Sequence, residues 1–417
     1  MKKITRFVLA TVILFGATAL PLESKAAGSV QFKDVPSSHW AKSAIDAAVQ
    51  KGYFKGYSDG TFRPNATITR AEFAALLSRL SKNEVKENQG EFQDVKGHWA
   101  ESSIKQAVGM GFISTKDYSS EFQPGKALTR REMAKWMASG LSANDADYKK
   151  ALADTSTEST LVPVAEFYKG GLSKTDYPYV SVALGTGLMA GYPDGTFGPS
   201  KTTTRAETAV ILSRLDSVQV KKADSFKDLN EMREVGLTGT NLTSATPFVY
   251  AKLYNSSELA SFDRVINKEF NLKNGLGTMK VHRMIIADAT SSKTVRNLYG
   301  KIFIDEEYNR PIDSDRYEVF VEATVIPSGD NLKNLAFYNS TGSRLTSGNN
   351  FESGTIKKYG IINLPHTEYV TSGFFTKGVE RRFWMNSSIN RSWVESITEN
   401  GGRFSAGKEA TSFYIPK

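Results

Sequence analysis

The sequence predicts a multi-domain chain, mainly α-helical and modular in its N-terminal half and β-rich, sandwich-like, in its C-terminal half. Three observations predict this. A Thr-Arg-x-Glu pattern recurs at Thr69-Arg70-Ala71-Glu72, Thr129-Arg130-Arg131-Glu132 and Thr204-Arg205-Ala206-Glu207. In each copy the Arg follows a Phe by eight positions and a Pro by six: Phe62 and Pro64, Phe122 and Pro124, Phe197 and Pro199. From about residue 240, helical spacing gives way to short alternating runs between Asn- and Gly-rich turns. A fixed phase held three times marks a tandem module, and such a repeat governs the fold before local propensity does.

Residues 1–26 read as a secretory leader. Lys2, Lys3 and Arg6 precede an apolar core from Phe7 to Leu20, and Ser24-Lys25-Ala26 offers small residues for cleavage after Ala26. The core is about 14 residues, short of the roughly 20 that span a bilayer. No later stretch is apolar enough to be a transmembrane segment, and the chain stops at Phe413-Tyr414-Ile415-Pro416-Lys417 without an apolar or sorting tail. The exported chain is therefore expected to be held by binding.

Three modules follow, over 30–82, 90–142 and 150–218. Each opens on an acid, in Phe32-Lys33-Asp34-Val35, Phe92-Gln93-Asp94-Val95 and Leu152-Ala153-Asp154-Thr155. His39-Trp40-Ala41 and His98-Trp99-Ala100 then start a first helix, with Ile45, Ala48 and Val49, or Ile104, Ala107 and Val108, on its apolar stripe. A turn comes next. Gly56-Tyr57-Ser58-Asp59-Gly60-Thr61-Phe62 in copy one matches Gly191-Tyr192-Pro193-Asp194-Gly195-Thr196-Phe197 in copy three, with Asp-Gly as the tight-turn signal. The Thr-x-x-Glu pairs Thr69/Glu72, Thr129/Glu132 and Thr204/Glu207 read as capping boxes that start a second helix. The Arg stands at the first helical position, where the dipole disfavours a cation by about 0.3–1 kcal/mol. Arg70, Arg130 and Arg205 are each expected to answer either a neighbouring carboxylate or a ligand anion.

This motif set resembles the S-layer homology (SLH) family. The resemblance is carried by Phe-x-Asp-Val, His-Trp-Ala, Gly-Tyr-x-Asp-Gly-Thr-Phe-x-Pro and Thr-Arg-Ala-Glu, and it covers about 32–218. It implies a mainly α, pseudo-threefold trimer of modules that binds acidic secondary cell-wall polysaccharide, commonly with a pyruvylated sugar, in Gram-positive envelopes. It implies ligands in the grooves between modules, with Arg70, Arg130 and Arg205 reaching the acidic group and Trp40, Trp99, Asp34 and Asp94 close by. Other surface-layer proteins are a further implied partner. The sequence departs from the family pattern in three places. Copy two lacks the Gly-Tyr-x-Asp-Gly turn and carries Arg131 in place of Ala. Copy three lacks His-Trp, with Thr175 at the Trp position and Tyr177 and Tyr179 nearby. Copy three also has extra residues between Asp154 and Thr175.

The 417 residues contain no Cys, which excludes disulfides and thiolate chemistry. The net charge of +9 includes a leader with four cations and one anion, so the remainder is near +6. That balance suits an acidic polymer. No run of five Lys/Arg occurs, and nucleic acid is set aside as a partner.

Phe226-Lys227-Asp228-Leu229 repeats a module opening, but no further motif follows, so 219–239 reads as a linker and 240–417 as the β-rich part. Strands are expected at Met279–Ile286, Leu298–Ile304 and Tyr317–Ile326, with turns at 271–277, 340–350 and 400–402, and a sandwich of seven or more strands fits best. No catalytic residue, metal ligand or cofactor site is predicted. His282 and His366 are lone, and Asp305-Glu306-Glu307 and Asp313-Ser314-Asp315 read as solvated loops. Trp384, Trp393 and Arg381-Arg382-Phe383 read as packing beside a basic face. The leading expectation is a wall-anchored surface protein displaying a structural or adhesive domain. The rivals are a wall-tethered hydrolase and a lattice-forming S-layer protein.

Overall fold

In a computed structural model, the structure describes residues 31–81, 83–86, 90–330, 332–343, 346, 348–365, 373–392 and 402–416. The leader, His366, Trp393 and most of the 400–402 turn lie outside the described residues.

The N-terminal half is helical. First helices are α1 (Lys42–Gln50) and α3 (Glu101–Gly109), and second helices are α2 (Arg70–Leu80) and α4 (Arg130–Asn144). The third copy adds α5 (Ala146–Asp154) and α6 (Ala165–Lys169) before its helix pair α7 (Tyr177–Gly185) and α8 (Arg205–Val218). The second helices begin where local chemistry dictates. Thr69, Thr129 and Thr204 each accept from the N3 amide, while Glu72, Glu132 and Glu207 each take back the N-cap amide. A cap of this kind stabilises by about 0.5–2 kcal/mol.

Backbone hydrogen bonds join the modules head to tail. The Arg70 amide donates to Lys126 O, the Arg130 amide to Lys201 O and the Arg205 amide to Ala66 O, at 2.9, 2.9 and 2.8 Å. At the hub, Ile68 N donates to Thr203 O, Thr203 N to Leu128 O and Leu128 N to Ile68 O. The contacts thus run from module one to two, two to three and three to one. One continuous apolar core, including Phe62, Phe122, Phe197, Phe73 and Trp136, lies beneath.

The stretch expected as a linker is instead α9 (Lys227–Thr238), followed by α10 (Leu242–Ala245). Leu229, Met232 and Val235 are buried at helical spacing, and Gly185 and Gly236 allow close approach. A Cβ at Gly236 would stand 1.9 Å from Asp154 O.

The C-terminal half is rich in antiparallel sheet. Its strands are β1 (Val249–Tyr250), β2 (Glu269–Asn271), β3 (Gly277–Ala287), β4 (Ala289–Ser291), β5 (Thr294–Val295), β6 (Arg316–Pro327), β7 (Arg381–Asn390), β8 (Gly402–Ala406) and β9 (Glu409–Tyr414). They form sheets in the orders β2-β3-β6-β7, β1-β9-β8 and β4-β5. Short helices α11 (Gly300–Phe303), α12 (Asn334–Ser340) and α13 (Gly354–Tyr359) connect them. The run at 298–304, expected as a strand, is therefore helical at its centre. Alternation over seven residues cannot separate a buried helical turn from a strand. Here Ile302 and Phe303 pack under Phe320 and Trp384.

The four-stranded sheet is buried on both faces, which explains the near-continuous burial of β6, Glu318, Glu322 and Thr324 included. Val319, Val321, Ala323 and Val325 pack toward Phe404 and Phe413 of the three-stranded sheet. Phe320 packs on the opposite face with Met232, Val235 and Leu161. A bulge between Val281 and Arg283 leaves His282 unpaired and reverses the alternation of β3. Arg283 thereby faces module three. Its guanidinium donates to Ser159 O and Thr160 O, each at 2.8 Å, and pairs with Glu322. The Tyr299 hydroxyl donates to Leu161 O at 2.6 Å. The C-terminal half is thus docked on module three through buried polar and apolar contacts.

The other loops singled out in the sequence have structural roles. Asp305 accepts from Gly354 N and Thr355 N at the start of α13. Asp313 accepts from Asp315 N and pairs with Arg316. Trp384 lies in the core.

Candidate functional site

Each junction between modules is built around a motif arginine. Arg70, Arg130 and Arg205 are only 6%, 4% and 6% exposed. Each donates to the carbonyl of the Phe in the following module's turn: Arg70 Nη1 to Phe122 O at 2.5 Å, Arg130 Nε to Phe197 O at 2.7 Å, and Arg205 Nε to Phe62 O at 2.9 Å. Each guanidinium also lies over a tyrosine ring, with Tyr118 at 5.0 Å, Tyr192 at 4.6 Å and Tyr57 at 5.0 Å. The sequence left open whether these cations answer a carboxylate or a ligand. Arg130 and Arg205 answer carbonyl oxygens, and of the three only Arg70 is paired with an acid, Glu132, its Nε standing 2.9 Å from Oε1. Burial pushes the pKa values of Arg130 and Arg205 below the ordinary arginine value, and both remain cations.

The difference at Arg70 follows from its neighbour's turn. Arg130 Nη2 donates to Ala190 O, and Arg205 Nη2 to Lys55 O. Those carbonyls immediately precede Gly191-Tyr192 and Gly56-Tyr57. Module two has no Gly-Tyr, and its chain forms a 3-10 turn over Thr115–Asp117, so Arg70 swings to Glu132 instead.

The opening acids hold the same turns from the other side. Asp34 accepts from Phe62 N and Arg63 N at 2.8 and 2.7 Å, and Asp94 from Phe122 N and Gln123 N at 2.8 and 2.6 Å. In module three this role belongs to Glu166, which accepts from Phe197 N and Gly198 N at 2.9 and 2.7 Å. Asp154, expected there, pairs instead with Lys150 and Arg233. The residue after each Phe takes left-handed backbone, with φ of 58° at Arg63, 54° at Gln123 and 67° at Gly198. A carboxylate gripping two successive amides offsets that strain. A sequence signal existed: Val164-Ala165-Glu166-Phe167 has the apolar-x-acid-apolar form of the other openings. Glu166 lies 31 positions ahead of its Phe, close to the 28 of Asp34 and Asp94.

The Asp-Gly turns are closed locally. Asp59 accepts from the Thr61 hydroxyl and amide, and Asp194 does the same with Thr196. The Thr61 hydroxyl and amide, and then Arg63, hold the Asp59 carboxyl down to about 2. Gly56 has no room for a side chain, since a Cβ there would meet the Phe32 ring at 2.2 Å.

Trp40 and Trp99 stand just ahead of α1 and α3, 65% and 66% exposed. Beside them the His39 and His98 rings accept from Ala41 N and Ala100 N, at 3.1 and 3.2 Å. An indole held this far into solvent by a fixed helix end is a ready stacking surface. Trp99 also borders an open cleft of about 980 Å³ shared with Val85, Lys86, His98 and Lys105. The structure therefore separates the predicted site residues into two layers. Arginines and acids lie inside the junctions, and tryptophans stand at the surface.

Residues 31–74, 91–134 and 172–209 match the S-layer homology domain. The N-terminal half carries three SLH domains in tandem. The third match begins after Glu166, as expected if an insertion displaced its opening acid. A cellulosome-anchoring protein of Acetivibrio thermocellus is 40% identical over 110 residues, 25% of this chain and 24% of that protein. An S-layer protein of Bacillus licheniformis is 28% identical over 53% of this chain and 24% of its own length. An amylopullulanase of Thermoanaerobacterium thermosulfurigenes is 30% identical over 43% of this chain and 9% of its own. The chain thus matches about a quarter or less of the length of these relatives. Among the described residues no helix is long and apolar enough to cross a membrane.

Proposed function

We propose that this chain is a secreted cell-surface protein, anchored non-covalently to acidic, pyruvylated secondary cell-wall polysaccharide through its SLH domains. In this reading the domains form a pseudo-threefold ring. The four- and three-stranded sheets are the two layers of a sandwich-like unit, displayed as a structural or adhesive domain without enzymatic activity. The observation that carries the proposal is the repeated junction: a buried arginine and a gripped turn beneath all three, with an exposed tryptophan at the rim of two. The wall-anchoring and S-layer names of the relatives support the same reading.

The arginines have a different part in this proposal from the one the family resemblance suggests. They brace the groove floor and supply positive potential, while the exposed rim, with Trp40 foremost, and the free edges of the turns meet the sugar. The test is sedimentation of the full chain with purified walls, before and after hydrofluoric acid removes the polysaccharide. Binding to intact walls and loss on stripped walls is expected. Equal sedimentation with both would overturn the proposal.

A further inference from the structure

The three grooves are not equivalent, and their differences are written in residues that touch across each junction. The second position of each Arg-bearing helix and the N-cap of the next module's first helix differ between junctions. At the first-to-second junction these are Ala71 and Ala100, and at the third-to-first junction Ala206 and Ala41, all buried. At the second-to-third junction they are Arg131 and Asp176, with Nε 3.1 Å from Oδ2. An ion pair spans that junction, where the other two have buried alanines at both positions. The same junction has Thr175 where the others have an exposed Trp. Its Asp-Gly turn is also contacted by the C-terminal half: Lys358 Nζ donates to Pro193 O at 2.7 Å, and a Cβ on Gly195 would strike the Tyr359 ring at 2.4 Å. Both residues belong to α13 of the C-terminal half. In module one the same turn meets only Lys33 at Gly60.

The first-to-second groove keeps Trp99 but has lost its charge. All three Arg70 nitrogens are engaged, two by Glu132 and one by Phe122 O. At the third-to-first groove Arg205 spends Nε and Nη2 on carbonyls and forms no ion pair among the described residues. There Tyr57 is partly exposed, and the Arg63 guanidinium stacks on it at 3.9 Å with its side chain half open to solvent. Trp40 immediately precedes Ala41, the N-cap of α1. A buried guanidinium that forms no ion pair among the described residues, the Asp59-paired Arg63 guanidinium stacked on Tyr57 and an exposed Trp coincide at this groove alone.

We infer that the chain has one acidic-glycan site, the groove between the Arg205 helix and module one, and that the second-to-third groove has become the seat of the C-terminal half. The inference rests on the anchoring reading and deepens it, because each domain would otherwise supply a site. Trp40 and Arg63 are then the residues that set specificity for the acidic sugar.

Isothermal titration of the full mature chain with a purified, ketal-bearing wall oligosaccharide tests this. One equivalent is expected. Trp40→Ala, at an exposed position, should weaken binding at least tenfold with an unchanged melting temperature, and Arg63→Gln should weaken it in the same direction. Trp99→Ala should leave the constant within twofold. Two or three equivalents, or a Trp99→Ala loss equal to that of Trp40→Ala, would overturn the inference while leaving anchoring intact. Absence of any binding by the unsubstituted chain overturns the anchoring reading and the inference together.

Discussion

A motif arginine in this protein is first a bracing group, so its removal should be read in stability before affinity. Arg130→Ala strands two inward-facing carbonyls, Phe197 O and Ala190 O. Unsatisfied buried acceptors and lost charge-assisted bonds cost about 1–3 kcal/mol each in this setting. Urea unfolding of the variant should show a loss of about 2–3 kcal/mol. An unchanged midpoint would mean that the guanidinium does not hold the junction. His282 makes a second residue-scale prediction. Its ring is bonded to Asn267 and, at 2.7 Å, to the Thr324 hydroxyl. Burial first, and the nearby Arg382 second, push its pKa down to about 4. The unfolded chain, with an ordinary histidine near 6.5, binds the proton first. The stability contributed by neutral His282 is therefore whole above about pH 6.5 and is lost as pH falls toward 4. At about 1.4 kcal/mol per unit, the loss by pH 4 is of order 2–3 kcal/mol. His282→Gln should remove that slope from stability measured between pH 7 and 4. Parallel profiles for the two proteins would exclude His282 as its source.

At the scale of elements, what could be read from the sequence was what neighbours in the chain decide. Capping boxes, the amphipathic second helices and the Asp-Gly turns depend on residues within a few positions, and the structure shows them where Thr69, Thr129 and Thr204 point. What was hidden depends on distant partners. The opening acid of module three moved into an insertion, so the nearest acid in the expected frame, Asp154, was the wrong one. Helix α9 passed for a linker because its stripe is shared between distant partners: Leu229 packs into the helical core of the N-terminal half, and Met232 and Val235 pack with a sheet that comes later in the chain. The bulge at His282 breaks the alternation of β3, and nothing local announces it. Gly236 gives a direct test of the α9 packing. Ala at that position must push its Cβ away from Asp154 O, which it would approach to 1.9 Å. Overpacking against backbone typically costs 1–3 kcal/mol and sometimes more. Gly236→Ala should therefore destabilise by at least about 2 kcal/mol in denaturant unfolding, although alanine favours helix by roughly 1 kcal/mol. A neutral or stabilising result would show that α9 does not press on module three.

For the whole molecule, the decisive feature is that the C-terminal half is not strung on a tether. Arg283 is buried between the halves and holds Glu322 on one side and the Ser159 and Thr160 carbonyls on the other. Tyr299, Phe320 and Trp384 form one apolar cluster with Leu161 and Ala165 of the third module's insertion and Met232 of α9. An interface with an apolar centre and a satisfied buried cation couples the units it joins, so SLH domains and sheet should unfold together. Scanning calorimetry of the full chain is expected to show one dominant transition. Arg283→Met tests the coupling. It leaves Glu322 with only Arg382 as a cationic partner and strands carbonyls that face no water. Breaking a buried pair by removing one partner costs about 3–5 kcal/mol. That loss falls on the interface, while the core around Phe62, Phe122 and Phe197 and the core between the two sheets stay intact. The single transition should split into two, with the early one sensitive to changes in α9. A variant that melts in one transition at a lower temperature would place Arg283 inside a single cooperative core instead, with no boundary between the SLH domains and the C-terminal half.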